Sequence, residues 1–125
     1  DPNTRYMWRA SANLSADEQA TLAFIRKLGQ ARRDVPALRR GGYQTLGVTE
    51  DTLVVGRRIA SGNAAGVGVT RNGTPTQMTV SVAGELGFPA GMVLVDELGG
   101  PRATVAGNGT VTFTIPASGA VVLPP

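Results

Sequence analysis

The chain has 125 residues, room for one domain and little more. An apolar share of 42% is ordinary for a globular protein, and the absence of Cys and His excludes disulfides, thiolate zinc sites, cysteine nucleophiles and the commonest general base. The net charge of +3 is unevenly placed: residues 1–40 hold eight bases and four acids, the remainder four bases and five acids.

The opening stretch, 1–14, reads as irregular, with Tyr6, Met7 and Trp8 as its anchors. It lacks the charged, apolar and cleavage-site pattern of a signal peptide, and no apolar run reaches the roughly 20 residues a membrane span needs. Ser15-Ala16-Asp17-Glu18 is a capping box: the Ser15 hydroxyl can accept from the Glu18 N–H while the Glu18 carboxylate reaches back. The helix it opens is expected over about 16–34, because Pro36 stops it and pushes Val35 toward an extended conformation.

Phe24, Ile25, Leu28, Ala31 and Val35 share one stripe of that helix, with Arg26, Lys27, Gln30, Arg33 and Asp34 opposite. Arg32 lies near the stripe and needs a carboxylate or backbone carbonyls for its head, or a path to water. A single long helix before a run of strands has no place inside those strands. Its apolar stripe is therefore expected to face another body.

From Gly42 onward the chain is cut by glycine turns into short β-rich runs, expected over 43–48, 52–58, 65–71, 78–82, 92–96, 102–105, 110–115 and 120–123. Turn signals every 8–12 residues or so mark an all-β sandwich or barrel. Asn108-Gly109 predicts a type I′ hairpin between 102–105 and 110–115. In the latter, Val111, Phe113 and Ile115 alternate with Thr110, Thr112 and Thr114, as in a strand with one wet face.

Few residues can carry chemistry. Glu50-Asp51 and Asp96-Glu97 are adjacent pairs at turns or strand ends, where neighbours point to opposite faces and grip no common substrate, so they read as solvated turn acids. No loop has the spacing of a calcium site, and no metal is expected in this chain. Without His, none of the serines can belong to a Ser-His-Asp arrangement. Gly99-Gly100 and Gly107-Asn108-Gly109 lack the ending of a phosphate loop and read as turns. Asn13-Leu14-Ser15, Asn72-Gly73-Thr74 and Asn108-Gly109-Thr110 match the short N-glycosylation pattern, two of them as Asn-Gly turns. Tyr43 and Phe88 are the aromatics left to stack on a sugar, since Phe113 alternates inward. The strands carry neither a basic stripe nor a stacking platform, so nucleic acid is not expected as a partner.

Five segments, in order, resemble the end of α-amylase-family glycoside hydrolases. Asp1-Pro2-Asn3-Thr4-Arg5 with Met7-Trp8-Arg9 resembles the DPDNR-like run after the last barrel strand, with Asn3-Thr4 replacing Asp-Asn. Leu14-Ser15 with Gln19, then Leu28, Arg32 and Pro36-Ala37-Leu38-Arg39-Arg40-Gly41, is similar to the final barrel helix and its LxxxRxxxPALRxG exit. Val67-Gly68-Val69-Thr70-Arg71-Asn72, Leu94-Val95-Asp96-Glu97-Leu98-Gly99-Gly100 and Ile115-Pro116-Ala117-Ser118-Gly119 with Val122-Leu123 look like successive parts of its C-terminal domain, although Thr70 stands where Asn is common.

The resemblance implies a Greek-key antiparallel β-sandwich of about eight strands over 42–125, preceded over 1–41 by the last helix of a (β/α)8 barrel. It implies a retaining parent enzyme acting on α-glucosidic bonds of starch, maltooligosaccharides or cyclodextrins, bacterial and secreted or periplasmic, with its carboxylates and any signal peptide upstream. No residue here matches those carboxylates, so this chain alone is expected to be inactive and to hold no cofactor, any calcium belonging to the parent. The expected barrel-docking face is Phe24, Ile25, Leu28, Ala31, Arg32 and Val35. Its partner would be the rest of the barrel or a second copy of the chain. An autonomous glycan-binding sandwich using Tyr43 and Phe88 is the alternative.

Overall fold

The computed structural model describes residues 9–125. Tyr6, Met7, Trp8 and most of the DPDNR-like opening segment lie outside the described residues.

Helix α1 spans Ala16–Asp34. Ser15 caps it, its hydroxyl accepting from the Glu18 N–H at 3.2 Å. Only half of the expected capping box forms. The Glu18 carboxylate pairs with Arg9 instead of turning back to Ser15, an exchange of a neutral partner for a charged one. Val35 is extended (φ −111°, ψ 98°) ahead of Pro36, as the proline requires. Pro36 then starts a second, short helix, α2, Pro36–Arg40, occupying the first-turn position that needs no N–H.

Eight strands follow: β1 Gly42–Val48, β2 Thr52–Arg58, β3 Ala64–Thr70, β4 Thr76–Ser81, β5 Val93–Leu94, β6 Ala103–Thr104, β7 Thr110–Ile115 and β8 Ala120–Leu123, with a one-turn helix α3, Ala83–Leu86, after β4. One sheet has the order β1-β2-β3-β8; β4 pairs with β7 and β5 with β6, all antiparallel. The pairs β3–β8, β4–β7 and β5–β6 are nested. A single long ribbon with β5–β6 at its tip is folded over, so that its two strands contribute to both layers. This is the Greek-key sandwich expected from the sequence.

The core lies between the layers. Val54 from the first sheet meets Val80, Val111, Phe113 and Ile115 from the second, with Leu86 and Phe88 plugging the side between β2 and the second layer. The alternation expected in β7 holds: Val111, Phe113 and Ile115 are buried and Thr112 and Thr114 are exposed. Gly68 faces this core because a Cβ there would sit 2.9 Å from the Ile115 side chain and 3.1 Å from that of Val121. At this interior packing density a methyl group is not absorbed.

Two details depart from the sequence expectation. Gly109 has φ +82° while Asn108 does not have positive φ. The Gly109 N–H donates to Ala106 O at 3.0 Å and the Ala106 N–H to Thr110 O at 2.8 Å. The loop is thus a type I turn with a glycine bulge, not type I′. Nor do the flanking segments form a hairpin ladder, since β6 pairs with β5 and β7 with β4.

Candidate docking surface

The α1 stripe is covered at one end only. Ala31 and Val35 are buried, and Val35 packs with Ala37, Leu38 and Ala65 of β3. From Ala16 to Gln30 every position is exposed or half-buried, and Phe24, Ile25 (57% exposed) and Leu28 stand out as large apolar side chains in the open. The six-residue docking face expected from the sequence therefore divides. Val35 is taken by α2 and the chain's own sheet and Ala31 is buried at the same end, while Phe24, Ile25 and Leu28 remain exposed.

Arg32 resolves its own conflict by donating to the Leu38 carbonyl at 3.1 Å. Arg39 returns to the Arg32 carbonyl at 2.8 Å and also reaches that of Arg33. Arg57 of β2 donates through Nε and Nη2 to Gly41 O at 3.1 and 2.8 Å. Three of the chain's arginines thus satisfy carbonyls at the ends of α1 and α2, where the helix dipole favours cations. The Ala37 N–H, at the other end of α2, is taken by the Asn63 side chain at 2.8 Å. Gly41 closes the junction: a Cβ there would lie 2.8 Å from Arg58 N. The Pro-Ala-Leu-Arg-Arg-Gly run is a rigid clamp between helix and sheet.

That clamp sets the C-terminal end of α1 beside the outer face of the first sheet. Two rows of side chains lie there in register: Thr45, Val55, Val67 and Val122, then Val48, Leu53, Val69 and Ala120. A groove of about 270 Å³ runs between this face and the helices, lined by Leu28, Ala31, Leu38, Val55, Val67 and Val122. Beyond it Val48 and Val69 are exposed. Helix and sheet together present one apolar face, bounded by Tyr43 and Arg57. Exposed apolar side chains gathered on one face mark a surface suited to a partner.

The α-amylase of Geobacillus thermoleovorans, solved with acarbose, matches 99% of this chain at a TM-score of 0.77 and 17% identity. An Anoxybacillus α-amylase matches 100% at 0.74 and 20% identity, and a Nostoc punctiforme debranching enzyme 100% at 0.68 and 23%. The fold is that of the C-terminal part of α-amylase-family enzymes. In these three the match covers 26%, 26% and 24% of the enzyme, so this chain spans roughly a quarter of their length. No protein-family model matches the sequence, and no curated protein does.

On this amylase-type sandwich the two aromatic candidates part company. Tyr43 is 64% exposed, on the rim of the apolar face. Phe88 is 2% exposed and belongs to the core, so it offers no ring to a sugar. A second, polar cleft of about 460 Å³ lies beside β1, lined by Gln44, Arg58 and Glu85 among others.

Three of the five acids beyond α2 have structural partners. Asp51 pairs with Arg71 at 2.8 Å, and Glu85 accepts from Ser81 at 3.0 Å. Asp96 corrects the expectation of a solvated turn acid. It is 5% exposed, and its carboxylate accepts from the Leu98 and Val122 N–H groups at 3.0 Å and from Gly100 N–H at 3.1 Å. Among the described residues no three carboxylates converge as metal ligands would, and no helix is long and apolar enough to cross a membrane.

Proposed function

We propose that this chain is the C-terminal part of an α-amylase-family glycoside hydrolase. Residues 1–41 complete the catalytic (β/α)8 barrel and 42–125 form the sandwich that braces it. The role of the chain is structural, and the carboxylates that cleave α-glucosidic bonds of starch or maltooligosaccharides by a retaining route sit on barrel strands in the rest of the protein. The observation that carries this reading is the uncovered apolar face of α1 and the first sheet. Each large side chain on it gains roughly 1.5–3 kcal/mol when a partner surface excludes water. The quarter-length match to whole amylases supports the same reading.

Two measurements test it. The purified chain is expected to release no reducing sugar from soluble starch, and the protein in its source is expected to have an intact mass several times 12.9 kDa. Starch turnover by the isolated chain overturns the structural role. A native mass equal to that of the chain, with sedimentation as a dimer that Ile25→Asp dissolves, assigns the apolar face to a second copy instead.

A further inference from the structure

The sequence holds two Asn-Gly-Thr runs that the docking surface does not use, Asn72-Gly73-Thr74 and Asn108-Gly109-Thr110. In both, the asparagine Oδ1 accepts from the threonine two residues on. Thr74 donates through N–H and hydroxyl at 3.3 Å each; Thr110 donates at 3.1 and 2.7 Å. Two donors on an amide oxygen draw charge onto it and leave its carbon more electrophilic, the logic of an oxyanion hole. The sites differ at the glycine nitrogen. The Gly109 N–H donates to Ala106 O at 3.0 Å, and Gly109 is buried at φ +82°. Gly73 is exposed, with open space around its Cα, and its N–H has no hydrogen-bond partner among the described residues.

We infer that Asn72 is a site of spontaneous backbone modification and that Asn108, with the same sequence, is protected by the fold. The Gly73 nitrogen gives its proton to water or hydroxide and attacks Asn72 Cγ. A Cγ–N bond forms to the backbone, and the Cγ–Nδ2 bond breaks with loss of ammonia, leaving a five-membered succinimide. Water then adds to either carbonyl of the ring and opens it to aspartyl or isoaspartyl, so the net change is one water taken up for one ammonia released. The new carboxylate appears beside the Arg71–Asp51 pair. It also lies where the Ser118 N–H is held by Asn72 O at 2.7 Å, so the isoaspartyl product lengthens the backbone in the turn that fastens β7–β8 to β3.

Tryptic cleavage after Arg71 and Arg102 places the two asparagines in separate peptides. The folded chain, incubated at mildly alkaline pH, is expected to gain the amide-to-acid mass change at Asn72 at least about tenfold faster than at Asn108. That ratio is the rate equivalent of breaking one hydrogen bond, ~1.4 kcal/mol. In denaturant the two rates should converge. Gly73→Ala should slow Asn72 alone. Equal rates in the folded chain, faster change at Asn108, or a difference that persists in denaturant overturns the inference.

Discussion

Asp96 shows how much a single side chain can decide. One carboxylate oxygen serves Leu98 and Val122, the other Gly100, so three backbone donors from two distant segments converge on it. Asp96→Ala strands all three, including the buried Val122 N–H, and is expected to cost about 3 kcal/mol. Asp96→Asn keeps the oxygen that serves two of them and sets a donor against the Gly100 N–H, for a smaller cost of about 1–2 kcal/mol. Urea unfolding midpoints should fall in the order wild type, Asn, Ala; an Ala variant as stable as wild type removes the latch. None of this was legible in Asp96-Glu97 read as a pair, because Val122 comes from β8, far along the chain. Phe88 hides for a related reason: its ring belongs to a cluster drawn from both layers, whose members lie far apart in the sequence. Arg32 was legible as a problem, and its solution by the Leu38 carbonyl was among the options the sequence left open.

At the scale of elements, the ends of α1 could be read because caps and prolines act within a few residues of themselves. Ser15 and Pro36 set the boundaries, and the helix begins and stops where they require. The tip of the ribbon could not be read so closely. The runs at 92–96 and 102–105 shrink to two paired residues each. The Val95 and Glu97 N–H groups instead donate to Pro124 and Val122, drawing that segment alongside β8. The outer sheet face was also hidden, because Leu53-Val54-Val55 is apolar on both sides and shows no alternation. Helix α1 carries a prediction of its own. A helical arm of this length without tertiary cover is marginal in water. In the isolated chain, amides of residues 18–30 should exchange with solvent far faster than those of β2 and β3, while residues 31–35, held by the clamp, should be protected. Uniform slow exchange along α1 would mean that the arm is already covered.

For the molecule as a whole, the order of the five family-like segments carried the fold, although no one of them is decisive. The four that fall within the described residues keep their order in the fold, as α1 with its clamp, β3, the segment around β5 and the closing strand β8. The docking face makes the matching prediction. Ile25→Asp in the isolated chain replaces one exposed side chain by another and should change stability by no more than about 0.5 kcal/mol. In the full-length enzyme proposed above, where a barrel would cover this face, the same change would set a carboxylate against apolar surface, at an expected cost of about 2–4 kcal/mol. Calorimetry on both forms checks the contrast, and a similar loss in each would place the partner surface elsewhere.

The nesting of β5–β6 inside β4–β7 inside β3–β8 also fixes a timetable. During synthesis β1, β2 and β3 emerge first and can pair as they leave the ribosome. Gly66 and its neighbours on β3 keep an open edge until Leu123 arrives to register against them. Both layers therefore close late and together, and the half-made sheet must be shielded in the meantime. In the proposed parent enzyme, a barrel made earlier would be placed to lend that shelter.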